Sequence, residues 1–507
     1  MKLRLLTVLL FALVRTAGAQ CSNLNFTSQS QVNAFAATGC TTVTSLALRG
    51  ISNTTPGDDP IVDLTPLAGI TTVTGDVTLV LQDLVNIQGL NNIATIGGQL
   101  YIQGATSLTD LSLNVGPSNA FSGLTAIGGG LYISGNPSLV NISGFFRLRS
   151  APNVSITGNA ALATITGFNL LQDTGLLRIA SLPALRSITG FGSLATPRAS
   201  STVQISDNAL LEDILGLAAL TAVDLLTINN NPSLQVLAGF NNLRNVGTLN
   251  ISGNGVRSIT GFAGVTLSNR ADITNNPQLQ AITGFAGASA PGLYISDNAR
   301  LLDIAGFNAG TFATVGISAN PALTALSGFR NTEFTGAVNV INNAQLDSVT
   351  GFAGPRAPTA ISLSSNPRLR GFTRGFVFGS YTTLSSLTIF GNTMLSACAQ
   401  PWVCAYLRRG GGAFIASNAP ACTPATILQS CQVLAARAPS EPGQPYPNPV
   451  TDVLHLNTPG PYTVRDLLGR VLRKGQGAEV PMADLPTGVY LVETGQPAKR
   501  TIRIFRP

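Results

Sequence analysis

The sequence has very little of the chemistry on which most enzymes depend. It contains one His, one Trp and three Met residues in 507, and only 10% of its residues are charged. A single His455 cannot supply a Ser-His-Asp triad, an H-E-x-x-H zinc helix or a Cys-His pair along the main part of the chain. His455 itself falls in a strand-like segment near the C-terminus. We therefore expect no catalytic residues and a protein that is not an enzyme.

The main part of the chain also lacks a large excess of positive or negative charge. The net charge is +7, but residues 1–19 hold three cations and residues 441–507 hold eight cations against six acids. Residues 20–440 are left with 18 cations against 16 acids and have no basic tract. The sequence therefore predicts no nucleic-acid partner.

Long apolar runs are absent except at the N-terminus. Lys2 and Arg4 precede an apolar run over residues 5–14, and Ala17, Gly18 and Ala19 follow it. This order is typical of a secretory signal peptide, predicted over residues 1–19. No later stretch approaches the ~20 apolar residues that a membrane-spanning helix needs. The expected product is secreted or displayed on the cell surface, with no transmembrane segment after signal removal.

Cysteine is missing from the long middle of the chain. The six cysteines stand at the two ends: Cys21, Cys40, Cys398, Cys404, Cys422 and Cys431. Disulfides are plausible in an exported chain, so a Cys21–Cys40 bridge in an N-terminal cap over residues 20–47 is the simplest pairing. Two bridges in a C-terminal cap over residues 398–431 leave three connectivities open. A zinc site is the alternative, but no nearby His and no C-x-x-C spacing support it, and we expect no metal and no cofactor.

What the sequence does contain is a repeat. LYISGNPSLVNISGF at 131–145 returns as LYISDNARLLDIAGF at 293–307, with nine of fifteen positions identical. One aliphatic anchor marks each of sixteen copies, mostly 22 or 23 residues apart: Leu48, Leu79, Ile102, Ile133, Ile156, Ile179, Ile205, Ile228, Ile251, Ile273, Ile295, Ile317, Val340, Leu363, Ile389 and Ile415. A fixed period with occasional additions predicts a β-solenoid, assigned to residues 48–397.

Two further columns of residues recur with the anchors. Because a carboxamide both donates and accepts, stacked Asn side chains can satisfy the peptide groups of successive turns. Phe rings one coil apart can fill a corner of the interior. The Asn column has twelve members: Asn136, Asn159, Asn208, Asn231, Asn254, Asn276, Asn298, Asn320, Asn343, Asn366, Asn392 and Asn418. The Phe column has ten: Phe145, Phe168, Phe191, Phe240, Phe262, Phe285, Phe307, Phe329, Phe352 and Phe372. Both columns are interpreted as structural.

The position directly before each anchor varies while the core columns repeat. Stability fixes the interior of a solenoid and leaves its exposed strand face free to bind a ligand. The candidate ligand face comprises Tyr101, Tyr132, Arg178, Asn250, Asp272 and Tyr294. The predicted function is noncatalytic binding or adhesion to an unknown protein or glycan.

Two alternatives remain, a structural surface coat and a carbohydrate-active β-helix enzyme. Such enzymes use carboxylates on neighbouring coils. Here Asp110, Asp213 and Asp303 share one column without an acid on the next coil. A row of hydroxyls before the G-F pair also allows an ice-binding surface, although small residues suit a corner regardless.

The pattern L-x-I-x-x-N-x-x-L followed by I-x-G-F resembles leucine-rich repeats. It is more similar to the L domains of insulin and epidermal growth factor receptors and their bacterial surface relatives. The ending from Cys398 to Cys431 looks like theirs too. The resemblance implies an all-β fold, a right-handed solenoid of short parallel strands. The repeat itself gives about sixteen coils, many more than a receptor L domain has. The receptors' ligands do not carry over, because no ligand-contact motif matches.

The composition changes after the repeats. Residues 432–445 read as a linker, rich in Pro from residue 439. Alternating apolar residues broken by Gly and Pro turns predict a small β-sandwich over residues 446–507. Its motifs follow in order: YPNP at 446–449, Asp466-x-x-Gly469-Arg470, Leu485-x-x-Gly488-Val489-Tyr490, and the basic strand KRTIRIF at 499–505.

This segment resembles the type A C-terminal sorting domain of cargo of the type IX secretion system of Bacteroidota. The resemblance implies Sec export, passage across the outer membrane by the type IX machinery, removal of the tail, and release or attachment at the cell surface.

Overall fold

The computed structural model describes residues 19–50, 57–111, 121–195, 200–372, 375–437, 450–494 and 500–506. The chain forms two compact units, Met1–Ile427 and Leu428–Pro507. Most of the predicted signal peptide and the YPNP motif lie outside the described residues. So do residues 51–56, 112–120, 196–199 and 373–374, which belong to coils that the sequence showed to be longer than the common period.

The first unit is a parallel β-solenoid, which confirms the predicted fold. Its principal sheet, called the main sheet below, receives one strand from each coil. The described strands, seventeen in all, are Leu24–Phe26, Leu46–Gly50, Val77–Leu81, Leu100–Gln103, Gly130–Ser134, Asn153–Thr157, Leu176–Ala180, Thr202–Ser206, Ala222–Asn229, Asn245–Ser252, Thr266–Thr274, Ser289–Ser296, Thr311–Ser318, Ala337–Ile341, Ala360–Ser364, Ser386–Phe390 and Gly412–Ala416. The short strand Glu333–Phe334 also pairs with Thr311–Ser318. At ~4.8 Å per strand, sixteen steps span about 77 Å.

Each predicted anchor lies on one of these strands and is buried. Anchors pair with anchors in register, as Ile133 does with Ile156 and Ile273 with Ile295. The structure adds one rung before the first predicted copy, because Phe26 pairs with Leu48. The repeat pattern did not reveal this first coil, because its anchor is aromatic and a helix, rather than the Asn turn, follows its strand.

The opposite sides of the coils form shorter parallel sheets at the corners. Their strands, mostly two residues long, are Ala19–Cys21, Cys40–Val43, Thr72–Val73, Thr95–Ile96, Ala126–Ile127, Asp110–Leu111, Asn141–Ile142, Thr164–Ile165, Ser187–Ile188, Val236–Leu237, Ser258–Ile259, Ala281–Ile282, Asp303–Ile304, Ala325–Leu326, Ser348–Val349, Ala353–Gly354 and Val377–Phe378. Short 3-10 turns complete three coils at Ala36–Thr38, Thr65–Leu67 and Leu215–Leu217. The core lies between these corners and the main sheet.

The Asn column forms the predicted ladder of hydrogen bonds. Asn254 is fully buried. Its backbone N–H donates to Asn276 Oδ1 at 3.1 Å, and its Nδ2 donates to the Ile228 carbonyl at 2.8 Å. Its own Oδ1 accepts from Asn231 N and Nδ2, at 3.2 and 3.0 Å. In the coil of Ile179, Leu182 stands at the Asn position and donates its N–H to Asn208 Oδ1 at 3.1 Å.

The Phe column stacks as predicted over most of its length. Phe262 and Phe285 have ring centroids 5.0 Å apart, and Phe285 and Phe307 4.8 Å apart. One predicted member is wrong: Phe372 lies edge-on to Phe376, and it is Phe376 that stacks on Phe352 at 5.1 Å. Phe121 adds a ring below Phe145 that the G-F pattern missed. The stack is interrupted where Leu217 follows Gly216.

The two ends of the solenoid are closed by helices and disulfides. Helix α1, Gln29–Phe35, is capped by the Ser28 side chain, and Phe35 packs edge-on against Phe26. The Cys21–Cys40 bridge is present as predicted. At the other end, helix α2, Pro401–Arg408, buries Trp402 against Phe372 and Phe376.

The cysteines of the C-terminal end are also bridged. Cys398 pairs with Cys422, and Cys404 and Cys431 are also disulfide-bonded, so no described cysteine is free. Helix α3, Pro424–Arg437, extends into the segment predicted as a linker.

The second unit contains a four-stranded antiparallel sheet. In spatial order its strands are Val471–Pro481, Val453–Arg465, Gly488–Thr494 and Arg500–Arg506. Its core includes Val464, Met482, Tyr490 and Ile504. Within the described part of the chain, no helix is long and apolar enough to cross a membrane.

Candidate binding surface

The six candidate residues lie in one column on the outward side of the main sheet. Alternation along each strand turns the anchor inward and the residue before it outward. The pairing is residue to residue: Tyr101 with Tyr132, Asn250 with Asp272, and Asp272 with Tyr294. Arg178 is separated from Tyr132 by one rung, that of Ser155. This column and the two flanking outward columns are called the outer face below.

The structure places the six residues in two groups. Tyr101, Tyr132 and Arg178 lie toward the N-terminal end, whereas Asn250, Asp272 and Tyr294 occupy three successive rungs further along. Tyr132 and Tyr294 are seven rungs apart, about 34 Å at ~4.8 Å per strand. One small ligand cannot contact both groups, so a ligand of the whole outer face must be extended.

The first group is organised by a pair of aromatic rings. Tyr101 and Tyr132 stack with centroids 5.0 Å apart and planes 17° apart. Tyr132 lies over Gly130, where an added Cβ would come within 2.6 Å of the ring. The Tyr101 hydroxyl donates to Gln99 Oε1. Burial raises the pKa of Tyr101, and the nearby Tyr132 and Asp76 raise it further, so its hydroxyl stays protonated at neutral pH.

The second group combines one aromatic ring with an ion pair. Arg270 Nε lies 2.9 Å from Asp272 Oδ2, and both residues are on the strand next to Tyr294. The Tyr294 side chain is 38% exposed. Its ring lies beside two glycines: an added Cβ on Gly292 or on Gly316 would come within 3.0 Å of it.

The sequence did not single out three of the residues on this surface. Phe390 is 37% exposed and Phe414 57% exposed, and their rings are 5.5 Å apart near the last rungs. Phe414 belongs to the predicted column, but Phe390 follows its anchor, where half of the sixteen copies carry Ser or Thr and no other carries an aromatic residue. An aromatic residue at that position was the feature of the sequence that could have identified Phe390 as a surface residue of interest. Arg270 was missed because it lies three residues before its anchor, outside the column considered.

A shallow depression borders the outer face at the bend of the long strands. It has a volume of about 300 Å³ and is lined by Ser201, Asp224, Gly247 and Ser268 among others. A second one, of about 290 Å³, lies further along and includes Ser289, Pro291 and Thr311. Both are open to solvent, so they extend the surface rather than enclose a ligand.

The acids considered for catalysis are not brought together. Asp303 pairs on its two sides with Ala281 and Ala325, and Asp110 pairs with Asn141. Asp213 forms a bridge with Ser187. His455 lies opposite Glu479 in the C-terminal sheet, with 3.5 Å between Nδ1 and Oε1. No group of three metal-ligating side chains is found among the residues that the structure describes.

The fold is that of a parallel β-solenoid with disulfide-bonded ends. No known family profile matches the chain, and a comparison with curated proteins finds no match. Among solved structures, the chain is similar to a leucine-rich repeat protein from Bacteroides ovatus, at 14% sequence identity. That match covers 60% of this chain and 82% of the other, with a TM-score of 0.21.

Proposed function

We propose that the protein is a noncatalytic binding or adhesion protein, exported to the cell surface or the medium, whose outer face holds an extended protein or glycan ligand. The observation that carries the proposal is the contrast between the faces of the main sheet. Inward positions repeat coil after coil, whereas outward positions carry a varied set of aromatic, charged and amide side chains. Core packing does not require that variety, so ligand recognition is its best explanation.

The binding test uses the purified full chain on arrays of glycans and of extracellular proteins. Replacing Tyr132, Arg178 and Tyr294 together by Ser should abolish capture of whichever ligand is found. The matched control replaces Val140, Val236 and Leu302 by Ser, since these side chains are 49%, 51% and 50% exposed away from the outer face. Capture that survives the first triple replacement would exclude the outer face as the binding surface.

The noncatalytic part of the proposal has a separate test. The same glycans are incubated with the protein and assayed for new reducing ends. Cleavage that disappears when a single Asp is replaced, for example in Asp272→Asn or Asp303→Asn, would instead favour the carbohydrate-active enzyme.

Export by the type IX machinery is supported by the order of motifs in residues 446–507. In the C-terminal unit, Asp466 and Arg470 close a turn in which Arg470 Nε lies 2.6 Å from Asp466 Oδ2, and Gly469 has a φ of 82°. Tyr490 is buried and donates its hydroxyl to the Pro486 carbonyl. The motif residues thus shape a turn and a strand of one sheet. Deleting residues 446–507 should trap the protein in the periplasm, as checked by cell fractionation; a deletion mutant that still reaches the surface would exclude this route.

A further inference from the structure

Tyr294 is the one large apolar side chain of its neighbourhood that the outer face exposes. Among the described residues from 229 to 318, the other exposed large apolar side chains are Val236 and Leu302. Neither lies on the main sheet. Tyr294 is therefore an isolated aromatic ring on a polar surface.

Two glycines determine how this ring lies. Gly292 is on its own strand, and Gly316 faces it on the next strand. A Cβ on Gly292 would meet Tyr294 Cε2 at 3.0 Å, and a Cβ on Gly316 would meet its Cδ1 at 3.0 Å. Because neither position has a side chain, the ring leans over the backbone of both strands and leaves its outer face to solvent. Tyr132 differs in that the strand before it supplies a stacking partner, Tyr101, whereas the strand before Tyr294 carries Asp272 at the paired position.

Polar side chains occupy neighbouring positions of the outer face. On one side lie the Asp272 carboxylate and the Arg270 guanidinium, 2.9 Å apart. Along another side runs a row of hydroxyls, in which Thr274 pairs with Ser296 and Ser296 pairs with Ser318. The site therefore offers hydrogen-bond donors and acceptors around an apolar platform.

We propose that Tyr294, Asp272 and Arg270 form a subsite for one pyranose ring of an uncharged glycan. A sugar ring has an apolar face of C–H groups, which suits the negative face of an aromatic ring, and a rim of hydroxyls that need both donors and acceptors. A protein anchor would instead require an apolar patch that excludes water around the aromatic residue. The opposite charges of Asp272 and Arg270 select against a strongly charged sugar. This inference rests on the proposed function, of which it specifies the ligand class.

The test is affinity electrophoresis of the purified full chain in gels that contain laminarin, xyloglucan or yeast mannan. We expect retardation by at least one of them, and a Kd about tenfold higher for Tyr294→Ala because a stacking contact is lost. Tyr294→Phe keeps the ring and should stay within about twofold of the unmodified protein. Asp272→Asn should weaken binding several-fold, since it removes the charge that pairs with Arg270.

The sharpest variant is Gly316→Tyr, which places a ring where a bound sugar would stack and copies the Tyr101–Tyr132 arrangement. It should reduce binding about tenfold while the thermal unfolding curve stays close to that of the unmodified protein. Val236→Tyr introduces the same side chain at a 51% exposed position on Val236–Leu237, away from the outer face, and should leave binding unchanged.

Three results would overturn the subsite. The first is no retardation in any of the three gels. The second is glycan binding that is unaffected by Tyr294→Ala and Gly316→Tyr although the triple replacement on the outer face abolishes it. The third is a Tyr294-dependent protein ligand without glycan binding. The last two would leave the proposed function standing, whereas glycan binding that survives the triple replacement would remove both.

Discussion

The Asn ladder allows a stability prediction at one coil. Asn254→Ala removes one acceptor and one donor group from a fully buried site. The Asn231 N–H then loses the Oδ1 atom that it meets at 3.2 Å, and the Ile228 carbonyl loses the Nδ2 atom at 2.8 Å. The Ser252 carbonyl keeps a partner, because Asn230 N also donates to it at 3.0 Å. Two buried groups are therefore left without these partners.

Each such group costs about 1–3 kcal/mol, so the expected loss in the free energy of unfolding for the two groups is about 2–6 kcal/mol. Urea unfolding followed by circular dichroism measures the overall change. Hydrogen exchange of the peptides that carry Asn231 and Asn254 localises it, since the coils of a solenoid can open separately.

The control is Asn250→Ala, the same substitution four residues earlier, on the strand Asn245–Ser252 that precedes the turn of Asn254. Asn250 faces outward, so it should cost less than about 0.5 kcal/mol. Equal losses for the two variants, or a loss below about 0.5 kcal/mol for Asn254→Ala, would refute the view that the ladder stabilises the turns.

Three further predictions concern the interior, the C-terminal end and the tail. Phe285→Ala should cost about 3–5 kcal/mol in urea unfolding, whereas Phe285→Leu should cost less than half of that, because Leu217 occupies the equivalent corner in another coil; equal costs would contradict a role for ring volume. Replacing both Cys398 and Cys422 by Ser opens a bridge with a sequence separation of 24 and should lower stability by about 3 kcal/mol, seen as faster hydrogen exchange in helix α2; unchanged exchange there would argue that the bridge is dispensable. Burial raises the pKa of Asp466, but the hydrogen bonds and the charge of Arg470 outweigh it and lower that pKa. The ionised carboxylate therefore stabilises the turn at pH values above the ordinary Asp pKa, and this stabilisation is lost as the pH falls through the lowered pKa. Exchange protection at Leu468 and Arg470 should accordingly be lost on acidification, and protection that does not depend on pH would refute this.

Repetition explains how much of the fold the sequence revealed. A residue that stacks on its own kind is constrained in the same way at every coil, so Ile133 and Asn136 could be assigned by comparison with Ile295 and Asn298. The assignment of stacked residues was wrong where one coil departs from the common repeat. Phe372 follows a Gly as the other predicted members of the Phe column do, but Phe376 is the residue whose ring stacks on Phe352. Phe26 lies on the first strand of the main sheet, although its coil lacks the sequence pattern of the later coils.

The same physical argument explains why the sequence describes the candidate binding surface only in outline. The period identifies which residues face outward, but it is silent about how a side chain lies once it is there. Tyr132 and Tyr294 occupy the same position of the repeat, and each lies over a glycine two residues earlier on its strand. They differ in their neighbours, because Tyr132 lies between Tyr101 and Ser155, whereas Tyr294 lies between Asp272 and Gly316. The Tyr132 ring stacks on another ring of the chain, whereas the Tyr294 ring has no aromatic neighbour in its column and is 38% exposed. The sequence shows that difference only after the strands have been placed in register.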